Sequence, residues 1–430
     1  MKFSKKNFIT FILCFIILLY PFNSTIKSRL FPNEIFMFLL SAISIVLLFF
    51  LSFGKSKKIL KKQLVVFLIT LLILGIELYR NYYFKEGSEA KVFFFSAYLF
   101  IPFVLSFNKI ATENFIKATR LFCYEHVFGT FFVQIFKDFY ISNILPWLSN
   151  GKSSVAFSNL KNGYNPGFTM HYSTNGMYLS IAVILFFSQY LENKKKKDLI
   201  LTILSMIALL LTGKRAHTLF TIFACIALYL FKYKDYISKK VISFISIIFA
   251  SIIGIFVLSM FMPQVLNVID RFESTIEKGE LLSGREPFYE LALDLWKDHK
   301  IFGNGWGSFS YYFQLRLYSP VFTYGYLDGH NVYLQLLCET GIVGAIFFVW
   351  LAIKILLDNS KLINKINRNN GLLLFSFAYQ IYFLLYCFSG NPLYDIQAYA
   401  VYFICIGIVL NNKYHGESIG VKEEEKNEKV

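Results

Sequence analysis

The chain has 430 residues, of which 56% are hydrophobic, 19% aromatic and 16% charged, and its formal net charge is +16. That charged share is well below the roughly 25% of a soluble domain, and the apolar residues fall in blocks of about membrane length rather than at helix or strand periods, so a soluble globular fold is excluded. The basic excess reads as a topology signal with some attraction to anionic lipid headgroups, and nucleic-acid binding is a poor reading of it.

In chain order the apolar blocks lie at residues 8–21, 35–53, 64–79, 92–107, 121–136 and 172–190, then 199–211, 218–231, 241–262, 332–357, 372–388 and 396–410. They predict an all-α polytopic integral membrane protein of about 12 transmembrane helices. The first block ends at Pro21-Phe22 with no small-residue cleavage site, and further blocks follow at once, so it reads as a span and not as a removed signal. With the N-terminus inside, alternate loops collect the basic residues: Lys55 to Lys62, then Lys109, Lys117 and Arg120, then Lys194 to Lys197, then Lys232 to Lys240, then Lys361, Lys365 and Arg368. Cytoplasmic loops are the ones enriched in Lys and Arg, which puts both termini in the cytoplasm. The expected organisation is one membrane domain over 1–430, with a large helical extracytoplasmic loop at 263–331 and a charged cytoplasmic tail at 411–430. The six cysteines lie in or beside apolar blocks and read as small buried hydrophobes, with no disulfide or zinc spacing.

Unusual polar residues gather on the outer side. Lys214 and Arg215 stand in a tight hairpin, 212–217, between two spans, on the face that the positive-inside rule depletes of charge. Snorkelling to lipid phosphates is the plain explanation. An anion to be bound is the sharper one, and the planar fork of Arg215 beside Gly213 suits phosphate. In the large loop, Ser283-Gly284-Arg285-Glu286-Pro287 predicts a helix start with Ser283 as the cap, followed by an apolar stripe of Phe288, Leu291, Ala292 and Leu295. Arg285 at that N-terminus is an anion-site candidate, unless it merely pairs with Glu286 or another loop acid. Gly303-Asn304-Gly305-Trp306-Gly307 reads as a structural turn, since no Gly-Lys-Ser/Thr follows it.

His330 closes the loop, and Asn331 is placed to cap the helix from Val332. An imidazole at a water–membrane boundary can act as a general base, although a lone histidine is more often passive. His171, at the mouth of its span beside Tyr172, is a second candidate. His217, Tyr164 and Asp395 are on the same side, with nothing to separate them from ordinary loop residues.

The series Gly213-Lys214-Arg215-Ala216, Gly284-Arg285-Glu286 with Trp296 downstream, Ile301-Phe302-Gly303-Asn304-Gly305, Gly329-His330-Asn331-Val332-Tyr333-Leu334 and Glu339-Thr340-Gly341-Ile342-Val343-Gly344 resembles the O-antigen polymerase and ligase family. Each motif is weak alone, and their order, spacing and shared face carry the likeness. The resemblance implies a multi-span glycosyltransferase of the bacterial cytoplasmic (inner) membrane. It would work without metal or other cofactor, moving a glycan from undecaprenyl diphosphate to a sugar hydroxyl at the outer face with inversion. It places catalytic roles on Arg215, Arg285 and His330, which match the family's hairpin arginine, loop arginine and loop histidine; Lys214, Asn331 and His171, singled out by position on the same face, are the candidates for substrate binding. The implied partners are lipid-linked glycan donor and acceptor and membrane lipid, with a chain-length regulator as a further candidate. Of the two acceptors, a second lipid-linked repeat unit (polymerase) is favoured over a lipid core or protein (ligase). The richness in Lys, Asn, Ile and Phe hints at an AT-rich genome, common among capsule-forming bacteria without such a core. A flippase for lipid-linked oligosaccharide is the reading from another class. Its support is Glu125-His126 and Glu77 inside spans, because intramembrane ionisable groups often mark transport paths.

Overall fold

A computed structural model describes residues 5–22, 34–52, 89–148, 153–234, 284–316, 328–365 and 370–427, with a few isolated residues between them. The blocks at 64–79 and 241–262, and most of the loop up to residue 283, lie outside the described residues. The described chain is helical, with no strand: α1 (Lys5–Leu19), α2 (Glu34–Ser52), α3 (Glu89–Phe107), α4 (Lys109–Ile135), α5 (Ser153–Lys161), α6 (Tyr172–Asn193), α7 (Lys196–Leu211) and α8 (Arg215–Lys232), then α9 (Glu286–Asp298), α10 (Ser308–Arg316), α11 (Val332–Lys365), α12 (Gly371–Tyr386) and α13 (Ile396–Asn427). Short helical turns fill residues 137–148.

Four of these helices, or stretches of them, are long and apolar enough to cross a membrane: Tyr172–Asn193, Arg215–Lys232, Val332–Lys365 and Ile396–Tyr414. Three shorter apolar helices, Ile35–Leu51, Phe94–Phe107 and Gly371–Tyr386, stand with them. The molecule is thus a helical membrane protein. The surface agrees, because Ile346 and Trp350 on α11 are 61% and 52% exposed, and Ile35, Phe36 and Phe50 on α2 stand out in the same way. Apolar patches of that size are uncommon on a soluble monomer and ordinary against lipid.

α6 is the central post. Its residues from Asn175 to Phe186 are all buried, as expected of a helix apolar on every side, and it packs against α4, α7, α8 and α12. α13 packs on α3 and α12, α1 on α2 and α4, and the short pair α9 and α10 packs on α11. Aromatic rings fill much of the space between helices, with Tyr379, Tyr382, Phe383 and Tyr402 fused into the main core.

Two local features differ from the sequence expectation. Lys109, Lys117 and Arg120 do not form a loop: Asn108 alone separates α3 from α4, its side chain accepting from Ala111 N–H at 3.0 Å, so the helix starts at once and carries the three cations on its first turns. Arg120 then pairs with the buried Asp198 at 2.7 Å, which gives that charge a structural task. The amphipathic helix begins at Glu286 with Arg285 itself at the cap position and no side-chain cap bond. Ser283 lies outside the described residues.

α11 is broken at Gly341, whose φ of 65° and ψ of −171° are open essentially to glycine alone. The turn after α9 closes this break. Asn304 and Gly305 N–H donate to the carbonyls of Cys338 and Glu339 at 2.9 and 2.8 Å, and Ile342 and Val343 N–H donate to the carbonyls of Lys300 and Ile301 at 3.0 and 3.3 Å. The two backbones approach so closely because Gly303 and Gly341 face each other, where a Cβ on either would overlap the other segment's peptide. The glycine run is therefore a structural turn, and it clamps the end of α9 to the break in α11.

Candidate functional site

At the end of the bundle where α6, α8, α9, α11 and α13 begin and α12 ends, the connections enclose a polar cavity of about 240 Å³. That is less than the roughly 300–1,000 Å³ of a cleft enclosing a whole drug-sized ligand, so it suits a charged head group whose remainder lies outside. His171, Ser173, Thr174 and Met177 line it from α6, Lys214 from the hairpin, Arg285 from the start of α9, and His330 from the turn before α11. Tyr386, Ser389, Gly390, Asn391, Asp395 and Gln397 supply the wall from the α12–α13 connection.

The cations are set by local backbone geometry. Gly213 has a φ of 67°, which turns the chain between α7 and α8 and leaves Lys214 extended at the cap of α8. Lys214 Nζ lies 5.7 Å from the centre of the Tyr172 ring, and Tyr172 stacks on Tyr164 at 5.1 Å. Arg285 is drawn across to the far connection, its Nη1 donating to the Ser389 carbonyl at 2.9 Å. The helix behind it offers few peptide donors: Pro287 has none, and the N–H groups of Phe288 and Tyr289 are taken by the Arg285 carbonyl. An anion at this point would meet the guanidinium rather than free peptide donors of the helix terminus. Docking of α9 fixes it, because Phe288, Leu291, Ala292 and Leu295, the stripe expected from the sequence, are all buried and join Phe309, Phe313 and Cys338 in one cluster.

His330 adopts a left-handed conformation with φ of 51°. That is uncommon for any residue with a side chain, and it makes the position a candidate for function. Phe288 meets its ring edge-on at 5.7 Å. Burial, then the charges of Arg285 and Lys214, lower its pKa from 6.5 to about 4, against the opposing pull of Asp328, so the imidazole is neutral at neutral pH and able to accept a proton. His171 is exposed at the mouth. Its Nδ1 accepts from Ser173 N–H at 3.2 Å, capping α6, which assigns the proton to Nε2, facing away from the cap. Partial burial and Lys214 also push its pKa down, but its exposure to solvent weakens that push relative to His330.

The structure brings Lys214, Arg285, His330 and His171 to one cavity. Arg215, the first residue of α8, is half-buried beside it and does not line it. Successive residues here diverge because the chain passes from extended at Lys214 to helical at Arg215. Asn331 caps α11, its Oδ1 accepting from Leu334 N–H at 3.2 Å, and it too is not part of the lining. His217 sits one layer beneath, buried, its Nδ1 2.7 Å from the Tyr382 hydroxyl. His126 is stacked on Tyr178 at 4.1 Å within the aromatic core, and Glu77 is outside the described residues.

Asp395 does line the cavity, although sequence reasoning could not separate it from other loop acids. Its one visible signal is an acid immediately before an apolar block. Ser389 Oγ and Asn391 Oδ1, buried in the same wall, have no hydrogen-bond partner among the described residues and can serve a polar ligand. The arrangement holds two cations, a neutral base, a carboxylate and uncommitted polar atoms together. That combination is chemically suited to holding an anion and accepting a proton from a neighbouring hydroxyl.

A family model described as O-Antigen ligase matches residues 200–349. The matched stretch contains Lys214, Arg215, Arg285, His330 and Asn331, and it supports assignment of the chain to the O-antigen ligase/polymerase family. No curated protein matches the chain.

Proposed function

We propose, from that family assignment, that the cavity is the catalytic centre of a metal-independent, inverting transferase. It moves a glycan from a polyprenyl diphosphate carrier to a sugar hydroxyl at the outer face of the membrane. The observation that carries the reading is the convergence of Lys214 and Arg285 on a neutral His330 in one polar cavity.

The donor's diphosphate sits against Lys214 and Arg285, with Arg215 one residue further on as the second guanidinium that the resemblance implies. As the bond from the sugar C1 to the phosphate oxygen breaks, negative charge grows on that oxygen, and cations already in place stabilise it without rearranging. The acceptor oxygen forms its bond to C1 from the opposite side while its proton passes to the His330 imidazole, so the anomeric configuration inverts. Burial together with the same cations holds His330 neutral before the donor arrives. An incoming diphosphate offsets their charge and raises the basicity of the imidazole when a proton has to be taken. The proton then leaves to solvent, and the diphosphate leaves with the lipid.

The favoured acceptor is a second lipid-linked repeat unit, which makes the protein a polymerase of surface polysaccharide. The test is the purified protein with a synthetic undecaprenyl-diphosphate repeat unit in excess chelator. A ladder of products supports polymerisation, and a single transferred block onto an added acceptor supports the ligase reading. Arg285→Ala and His330→Ala should each lower turnover by about 10²-fold or more. Full activity in both variants, or export of the lipid-linked unit without any transfer, overturns the proposal.

A further inference from the structure

The turn that presents His330 is held from behind by buried polar side chains. Gln335 and Glu339 are both 0% exposed and lie four residues apart on α11, on one face of the helix. The Gln335 amide is used on both sides: Oε1 accepts from Gly329 N–H at 2.8 Å, and Nε2 donates to Asp328 Oδ1 at 3.1 Å and to Glu339 Oε1 at 3.0 Å. Asp328 Oδ1 also accepts from the Ser310 hydroxyl at 2.9 Å. Glu339 Oε1 takes a further bond from Phe309 N–H at 3.3 Å, and Oε2 accepts from the Tyr394 hydroxyl at 2.7 Å. The network thus grips the two residues before His330 and, through Tyr394, the residue before Asp395.

A carboxylate buried in an apolar bundle is costly, and apolar side chains at both positions would fill the space without that cost. What apolar residues could not do is fix a left-handed histidine and a second loop with directional bonds. We propose that Gln335 and Glu339 are positioning residues that set where His330 stands relative to Asp395 and Arg285. This inference rests on the functional reading above. His330 is faced by Arg285, Lys214 and Asp328 and shares its cavity with His171, Asp395 and Tyr386, so a displacement changes both its distance to an acceptor hydroxyl and its electrostatic surroundings.

The test uses the purified full chain with the synthetic lipid-linked repeat. Gln335→Glu and Glu339→Gln are close to isosteric, and each breaks a bond of the network: the first removes the amide that donates to Glu339 Oε1, and the second replaces the oxygen that accepts from the Tyr394 hydroxyl. Each should lower kcat by about 10²-fold, the cost of a misplacement near 1 Å, with KM and the amount of donor bound per protein little changed. Asp328→Asn keeps the shape and removes one charge. It should move the acid limb of the kcat profile to lower pH, because the carboxylate that raises the pKa of His330 is gone. Wild-type kcat per bound donor in Glu339→Gln, or loss of donor binding in proportion to activity, overturns the positioning role, as does an unmoved acid limb in Asp328→Asn. Arg285→Ala and His330→Ala run alongside. If both remain active, the functional reading itself falls. If both are inactive while Glu339→Gln turns over normally, this inference alone falls.

Discussion

Gly341→Ala strikes the clamp between α9 and α11 at its tightest point. Alanine at a φ of 65° and ψ of −171° carries strain of about 1–3 kcal/mol, and its Cβ would overlap the Ile301 carbonyl. Relief requires the 299–305 turn to move away, which gives up the backbone bonds at Cys338, Glu339, Ile342 and Val343, each contributing about 0.5–1.5 kcal/mol net. The variant therefore loses at least about 2 kcal/mol and, with the clamp open, up to about 6, a large part of a typical folding stability. Thermal unfolding of the purified protein, together with protease sensitivity of residues 284–316, measures this. Turnover should fall as well, since Arg285 rides on α9 and His330 stands at the head of α11. Gly344→Ala is the control: its added Cβ meets only the Thr340 side chain, which can rotate at the cost of one bond to Leu336 O, about 1 kcal/mol. Equal stability of Gly341→Ala and wild type, or equal losses in the two variants, would refute the clamp.

Lys214→Gln removes one of the two cations that, after burial, lower the pKa of His330. That pKa then rises, and the acid limb of kcat/KM moves to higher pH, the opposite direction to Asp328→Asn. Arg285→Lys keeps the charge but loses the planar fork, so turnover drops by about 10-fold, less than the about 10²–10³-fold of Arg285→Ala. Leu295→Asp places a carboxylate at a position 1% exposed and should cost more than the about 2–5 kcal/mol of truncating a buried leucine, seen as rapid proteolysis across α9 and α10 with the remaining helices intact.

Much of this arrangement could be read from residue order. The stripe from Phe288 to Leu295 fixed the buried face of α9, Gly213 marked the turn that exposes Lys214, and Asn331 caps α11 as its type suggests. Other features depend on contacts distant in the chain. Asp395 looks like any loop acid until the α12–α13 connection folds onto the same cavity as Lys214 and His330. Which of Lys214 and Arg215 faces inward depends on one change of backbone conformation between adjacent residues, below the reach of a motif. α9 starts at Glu286 with Arg285 at its cap, and the basic cluster at Lys109 became helix because a single asparagine suffices to cap it.

The interrupted α11 also constrains the order of assembly. Peptide carbonyls left bare in hydrocarbon cost several kcal/mol each, and those of Cys338 and Glu339 find their donors on the 304–305 backbone, outside their own helix. A ribosome delivers residues 299–305 before residues 332–345, so the donor strand already exists when the second half of the break emerges. Insertion of α11 is therefore expected to be coupled to seating of the 299–305 turn against it.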